Sequence, residues 1–296
     1  MIEQLNECPI CSSSDFELFL RSKDFSVSKE EFNIVTCRNC GLMFTNPRPD
    51  SISIGKYYES DDYISHSNTT VGLFSKIYHL IKKIAIRRKI KLIENLNPKS
   101  KTLLDIGCGT GAFLGGIKKR GWNVAGIEPN TKARECAIRD YNIRIINEIK
   151  ISEQQKESYS IITMWHVLEH VHNLKERVIE IYNLLDTGGY AIIAVPNNTS
   201  WDAKHYQSTW AAYDVPRHLS HFSPEVIKNL FSINNLHHLK SIPMTFDSYY
   251  VSMLSEKYIG SRFMPFKALY NGLLSNLKAK NNAEKYSSVI YIFQKN

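Results

Sequence analysis

The sequence predicts an α/β protein: a mostly parallel sheet with helices on both faces, preceded by a small cysteine-rich unit. Three observations lead there. From residue 100 onward, short apolar runs alternate with helical patterns. Within that region, Thr102-Leu-Leu-Asp-Ile106 breaks into a turn with glycines at 107, 109 and 111, then resumes as the helical pattern Ala112-Phe-Leu-Gly-Gly-Ile117. Ahead of it, two Cys-x-x-Cys pairs stand close together.

Composition narrows the class. A chain of 296 residues holds one large domain or a core with a small appendage. With 43% hydrophobic and 22% charged residues it reads as an ordinary globular protein. No run of about 18 apolar residues occurs, so no transmembrane helix is expected. The N-terminal Met-Ile-Glu-Gln-Leu-Asn-Glu-Cys lacks a basic segment followed by an apolar core, so no secretory signal is expected. A cytoplasmic address follows, where thiols stay reduced. The net charge of +8 would suit a polyanion partner, but no basic run with interleaved aromatics appears. Lysine-, asparagine- and isoleucine-rich usage throughout reads instead as a broad compositional bias, which makes nucleic acid the lesser reading.

Residues 1–50 read as a zinc ribbon. Cys8-Pro-Ile-Cys11 and Cys37-Arg-Asn-Cys40 are separated by 25 residues, and two such turns present four thiolates to one tetrahedral ion. Phe16 to Leu20 and Phe32 to Thr36 supply the strands of the intervening hairpin. Redox pairs are the alternative, and two symmetric pairs favour zinc. Four protein thiolates leave no open coordination position, so the role expected is structural or substrate-positioning. Cys108 and Cys136 stand alone as packing residues. Asn46-Pro-Arg-Pro49 reads as a stiff linker at the end of the ribbon, and a linker and helical segment spans 51–99. A long helix is expected from Val71 to Leu96, with Phe74, Ile77, Ile81 and Ile84 at helical spacing. It carries Lys82, Lys83, Arg87, Arg88, Lys89 and Lys91. Such a helix can lie on a membrane surface, so peripheral contact stays open, but packing on the sheet with a solvated basic face is preferred.

The core spans 100–296. Strands are expected near 102–106, 123–127, 143–146, 160–165, 189–195, 237–244 and 288–294. The glycine turn lets the backbone bend sharply and a ligand approach closely. Glu128 ends the second strand, 21 positions past Gly107, where a carboxylate can accept both hydroxyls of a ribose.

Leu104-Asp-Ile-Gly-Cys-Gly-Thr-Gly111, with an acid after the next strand, resembles the class I S-adenosylmethionine-dependent methyltransferases. Thr163-Met-Trp-His-Val-Leu-Glu-His-Val171 is similar to their fourth-strand motif. The resemblance implies a Rossmann-like sheet of seven strands with the last antiparallel. It also implies that Asp105, Gly107, Cys108, Gly109 and Gly111 hold the methionine part of the cofactor and Glu128 the ribose. Met164 and His166 would border the sulfonium. The chain departs from the family twice: Tyr159-Ser160 replaces a frequent acid before the fourth strand, and only Asn147-Glu148 follows the third where an aspartate would meet adenine.

His166, Glu169, His170 and His172 invite a metal reading, but Glu169 is misplaced for His-Glu-x-x-His and no third ligand is evident. A lid insertion near 197–222 contains Trp210-Ala-Ala-Tyr213-Asp214-Val-Pro-Arg217-His218-Leu-Ser-His221-Phe-Ser-Pro224, followed by a helix start at Ser223. Loops there lie over the carboxyl ends of the strands, where such sheets bind ligands. His218 and His221 are the first candidates for a general base, with His166 third, and Tyr213 and Arg217 orient or clamp the acceptor. Ribbon, core and the Asp-x-Pro-Arg-His-x-x-His-Phe-Ser-Pro string together resemble bacterial methyltransferases of surface-polysaccharide and small-molecule biosynthesis. The expected acceptor is therefore a small molecule or a saccharide, methylated on oxygen. An RNA methyltransferase with a zinc-ribbon RNA-binding unit is the second reading, and a non-catalytic cofactor-binding module the third.

Overall fold

The structure is a computed structural model. It describes residues 1–58, 73–146 and 156–296, with the backbone alone described over 73–80. Asn147-Glu148, Val71 and the side chains of Phe74 and Ile77 lie outside the described residues.

Seven strands form the main sheet: β6 (Thr102–Ile106), β7 (Asn123–Ile127), β8 (Arg144–Ile146), β9 (Tyr159–Trp165), β10 (Leu185–Pro196), β12 (Leu236–Pro243) and β13 (Ser288–Lys295). Their order is β12-β13-β10-β9-β6-β7-β8, and β13 alone runs antiparallel to its neighbours. All seven fall where the sequence places them, and β13 is antiparallel as the resemblance implies. The one early start is β10, expected from 189: the ladder shifts register between Leu185 and Tyr190, around Gly188 at φ 83, a bulge inside the strand. Helices cover both faces: α2 (Ala112–Lys118), α3 (Thr131–Tyr141), α4 (Leu174–Leu184) and α6 (Pro224–Ser232) alternate with the strands. Asn130 and Ser223 cap α3 and α6 through their side chains.

α1 (Leu73–Glu94) packs on the core, as preferred. Ile90 and Ile93 are buried with Leu103, Ile117 and Trp122, and a Cβ on Gly116 would come within 2.9 Å of Ile90. Ile81, expected on the apolar face, is exposed, because the second half of the helix is what meets the sheet.

The N-terminal unit contains β1 (Ile2–Glu3), β2 (Phe16–Lys23), β3 (Glu31–Cys37), β4 (Met43–Thr45) and β5 (Arg48–Pro49). Asn46–Pro49 is not a free linker. Asn46 and Arg48 are buried, Asn46 exchanges hydrogen bonds with Leu5, and β5 pairs with β1. Within the lid insertion, after α5 (Trp201–Tyr206), the short β11 (Ser220–His221) pairs with β4, giving a four-stranded sheet in the order β11-β4-β3-β2. The cysteine unit and the lid thus share one sheet. Between β12 and β13 the chain inserts a helical hairpin, α7 (Asp247–Ile259) and α8 (Met264–Ala279).

Candidate active site

The glycine turn closes β6 against β7. Gly107 and Cys108 donate their N–H groups to the Ile127 carbonyl at 2.7 and 3.0 Å. Gly107 sits at φ 76, where a Cβ would lie 2.4 Å from Val167; Gly109 sits at φ 54 and faces open space. The first glycine is demanded by packing, the second keeps the surface bare for a ligand. Glu128 is fixed by two main-chain donors, Gly109 and Asn130, both at 2.8 Å, with further lone pairs remaining on its oxygens. This anchored carboxylate beside a bare glycine fits the ribose and methionine parts of S-adenosylmethionine. Cys108 turns its N–H back to Ile127 and packs its sulfur towards Gly126, so its side chain serves the fold. Met164 is fully buried in the core, so its side chain does not border a sulfonium.

Asp105 is buried and accepts from Thr163 Oγ1 at 2.5 Å. Burial pushes its pKa up to about 7, against the pull of Thr163 and Lys89. Lys89, read from sequence as one cation of a solvated face, enters this site instead. Its Nζ lies 4.1 Å from the centroid of the Trp165 ring. Burial draws Lys89 down to about 8 while Asp105 and Asp247 oppose the shift. Trp165 Nε1 is buried without a partner among the described residues, a donor available to a ligand. Seven lysines and arginines crowd this helix, and nothing in the sequence singles out Lys89.

His166 follows β9 at φ 58, held by its N–H to the Ala194 carbonyl at 2.9 Å. Its ring lies between two carboxylates, Asp247 at 2.9 Å and Glu169 at 3.3 Å. Burial disfavours the charge, but the two acids outweigh it and hold His166 at about 10. A ring already protonated at neutral pH is a poor general base, so His166 leaves that list. Asp247 is 81 positions away, which hid it from sequence reasoning.

The lid brings the remaining candidates together. His218 and His221 pack together with Pro196, Asn198, Trp210, Ala212 and Ser220, leaving no space that a water molecule could fill. His218 Nδ1 lies 2.8 Å from the Ala212 carbonyl, which can only accept, so Nδ1 carries a proton and Nε2 is the nitrogen left for other contacts. Burial and the neighbouring His218 push His221 down to about 3, and its Nε2 rests 3.3 Å from Thr45 Oγ1. Asn198 Oδ1 and Ser220 Oγ in this cluster are buried without partners among the described residues. Tyr213 stacks edge-on to Trp210 and His221, and burial pushes its phenol up. Arg217 is not free to clamp an acceptor. Its guanidinium is buried against Asp214 at 2.6 Å, Asp24 at 3.0 Å and the Tyr57 carbonyl at 2.8 Å. Asp24 in turn accepts from Ser26, Val27 and Ser28 in the β2–β3 turn.

The histidine cluster has a third member that sequence spacing could not reach. Glu169, His170 and His218 each bring a ligand atom within 4.8 Å of the others, a set that could hold a divalent cation. Glu169 Oε2 has no partner among the described residues. Burial and the charge of His218 lower His170 to about 4, while Nδ1 contacts the Arg217 carbonyl at 2.9 Å. His172 lies apart, against the Pro49 carbonyl.

The four N-terminal cysteines converge. Cys8 and Cys40 sulfurs are 3.5 Å apart, Cys11 and Cys37 likewise, and all four lie within 4.8 Å of one another. Tetrahedral zinc with bonds near 2.3 Å requires sulfurs about 3.8 Å apart, so the set fits. The Cys40 thiol draws Cys8 down to about 5, which leaves a thiolate ready for a cation.

A family model described as a methyltransferase domain matches residues 78–245, and the chain belongs to that family. The matched region, from α1 to the start of the helical hairpin, is a methyltransferase domain. Among curated relatives, the ubiquinone biosynthesis O-methyltransferase of Rickettsia prowazekii is 28% identical over 154 residues, covering 49% of this chain and 60% of that protein. The enzyme of the same name from Paracidovorax citrulli is 26% identical over 117 residues, 36% of this chain and 49% of that one. The chain thus spans less than two thirds of these relatives. A solved magnesium protoporphyrin IX methyltransferase from Synechocystis, with S-adenosylhomocysteine bound, shares the fold at TM-score 0.55 and 11% identity, covering 83% of this chain and all of that one.

Proposed function

We propose that the protein methylates a hydroxyl of a small molecule or sugar-linked metabolite in the cytoplasm, with His218 accepting the proton. The observation that carries this is the hydrogen bonding of His218: Nδ1 is committed to the Ala212 carbonyl, which leaves Nε2 as the nitrogen to take a proton, in a ring packed with Asn198 and Ser220. Bound S-adenosylmethionine supplies an electrophilic methyl group on a positive sulfur. Transfer of that methyl to the acceptor oxygen would leave S-adenosylhomocysteine and release the hydroxyl proton, which His218 Nε2 would take. Asn198 Oδ1 and Ser220 Oγ supply unpaired polar atoms to orient the acceptor. Glu128 and the Gly107–Gly111 turn hold the cofactor, and Asp105 takes its ammonium group.

The relatives named for ubiquinone biosynthesis support O-methylation of a small molecule. The saccharide variant of the reading rests on the resemblance of the lid string alone. Cys8, Cys11, Cys37 and Cys40 hold one structural zinc in this proposal, and the ribbon positions the lid rather than reaching for RNA. Its strand β4 is already occupied by β11.

The test is a screen of purified protein with cofactor against small hydroxyl compounds, nucleotide-sugars, saccharides and RNA, scored by S-adenosylhomocysteine release. Turnover with a hydroxyl compound, retained after dialysis against a chelator of divalent ions, is expected. Turnover with RNA alone, falling steeply with salt, would replace this reading with the RNA one. Activity lost on chelation and restored by a divalent ion, with the zinc still bound, would recast Glu169, His170 and His218 as ligands.

A further inference from the structure

The α7–α8 hairpin is built inside out. A helix on a globular protein normally turns its apolar stripe to the core. In α8 the inward residues are Ala268, Asn271, Gly272, Ser275 and Ala279, whereas Phe266, Leu269, Tyr270, Leu273 and Leu277 recur at helical spacing on the outside. Their exposures are large: Phe266 77%, Tyr270 64%, Leu269 62%. α7 does so in part: Ser248, Ser252, Ser255 and Glu256 are buried beside Val251, while Tyr250, Met253 and Ile259 are exposed.

The inner face explains why the pattern is stable. Glu256 accepts from Tyr206 and Asn271, Ser255 accepts from the Ala211 N–H, and Ser275 donates to Asp202. Gly272 lets the helices close: a Cβ there would meet Tyr249 Cα at 2.9 Å. Small and polar residues between helices with apolar residues outside is the packing rule of helices surrounded by lipid. The charge pattern points the same way. From Tyr249 to Lys280 the one carboxylate is Glu256, which is buried, while Lys257, Arg262, Lys267, Lys278 and Lys280 are all exposed. α8 at 16 residues is about 24 Å long, short of the roughly 30 Å hydrocarbon thickness, so the hairpin would lie in the surface rather than cross it.

We propose that the outer face of α7–α8 docks the protein on an anionic lipid bilayer, the apolar side chains entering the interface and the lysines and Arg262 meeting the headgroups. The apolar stripe together with Arg262, Lys267, Lys278 and Lys280, on a stretch of sequence with no exposed acid, selects this occupant over a second copy of the chain. Two such faces brought together would oppose like charges.

The experiment is vesicle flotation of the full chain on phosphatidylcholine alone and on phosphatidylcholine with phosphatidylglycerol, for wild type and for the triple variant Phe266→Ser, Leu269→Ser, Leu273→Ser. The wild type should float with the anionic vesicles alone and lose binding as salt rises. The triple variant should bind at least about 100-fold more weakly. Its cofactor affinity and melting temperature should match wild type, since these side chains pack against nothing inside. Absence of flotation, equal flotation on neutral vesicles, or a triple variant that floats as well as wild type would overturn the proposal. A wild type that self-associates without floating, and becomes monomeric in the triple variant, would assign the face to a second copy.

Discussion

At the scale of single residues, the cofactor end of the site is the most legible part of the molecule. Gly107 and Glu128 act through main-chain geometry and a strand end, and both are fixed by local spacing. Replacing Glu128 by Ala should remove two charge-assisted hydrogen bonds to the ribose, each worth about 1.5–3 kcal/mol, partly recovered by water; calorimetry of S-adenosylmethionine binding reads the loss, and undiminished affinity would reject the assignment. Asp105 gives a pH dependence whose sign follows from its pKa of about 7, raised by burial. Below that pH the acid is neutral and must lose its proton to meet the cofactor ammonium. Affinity should therefore fall about tenfold per pH unit below 7 and level off above it, and the Asp105→Asn variant should show weak binding with no such slope. The acceptor end was less legible. Lys89, Asp247, Asn198 and Ser220 reach the site only through tertiary packing, and no residue type or spacing distinguished them beforehand.

At the scale of elements, strand alternation gave all seven positions of the main sheet because a buried parallel sheet writes near-continuous apolar runs. What the sequence could not display was the joining of β11 to β4, since two-residue strands carry no periodicity. That junction is locked by Arg217, buried between Asp214 and Asp24. Arg217→Ala should strand two acids in the interior and lower stability by about 3–5 kcal/mol, read as a reduced urea midpoint, whereas a substrate clamp would alter KM with stability unchanged. The metal end of the same unit makes a second prediction. Wild-type protein should carry about one zinc, and Cys37→Ser should lose it. Because β4 carries β11, that variant should also lose turnover through a loosened lid while its cofactor affinity stays near wild type. Full metal retention in Cys37→Ser would contradict the ligand assignment.

At the scale of the whole molecule, the cysteine-bearing unit and the 197–222 insertion meet at His218, whose carbonyl accepts from Thr45 beside the β4–β11 pair. Sequence reasoning named three histidines for the base and could not rank them by environment. The fold separates them: two carboxylates hold His166 protonated, burial leaves His221 too acidic at about 3, and the Ala212 carbonyl engages His218 Nδ1, so that Nε2 is the nitrogen left to meet an acceptor. The most direct test is the turnover of His218→Ala with an accepted hydroxyl substrate, measured beside its affinity for S-adenosylmethionine. A fall of about 10²–10⁴-fold in kcat with unchanged cofactor affinity is expected of a lost general base. Wild-type turnover in that variant would contradict the account and leave alignment of acceptor and methyl donor as the whole of the catalysis.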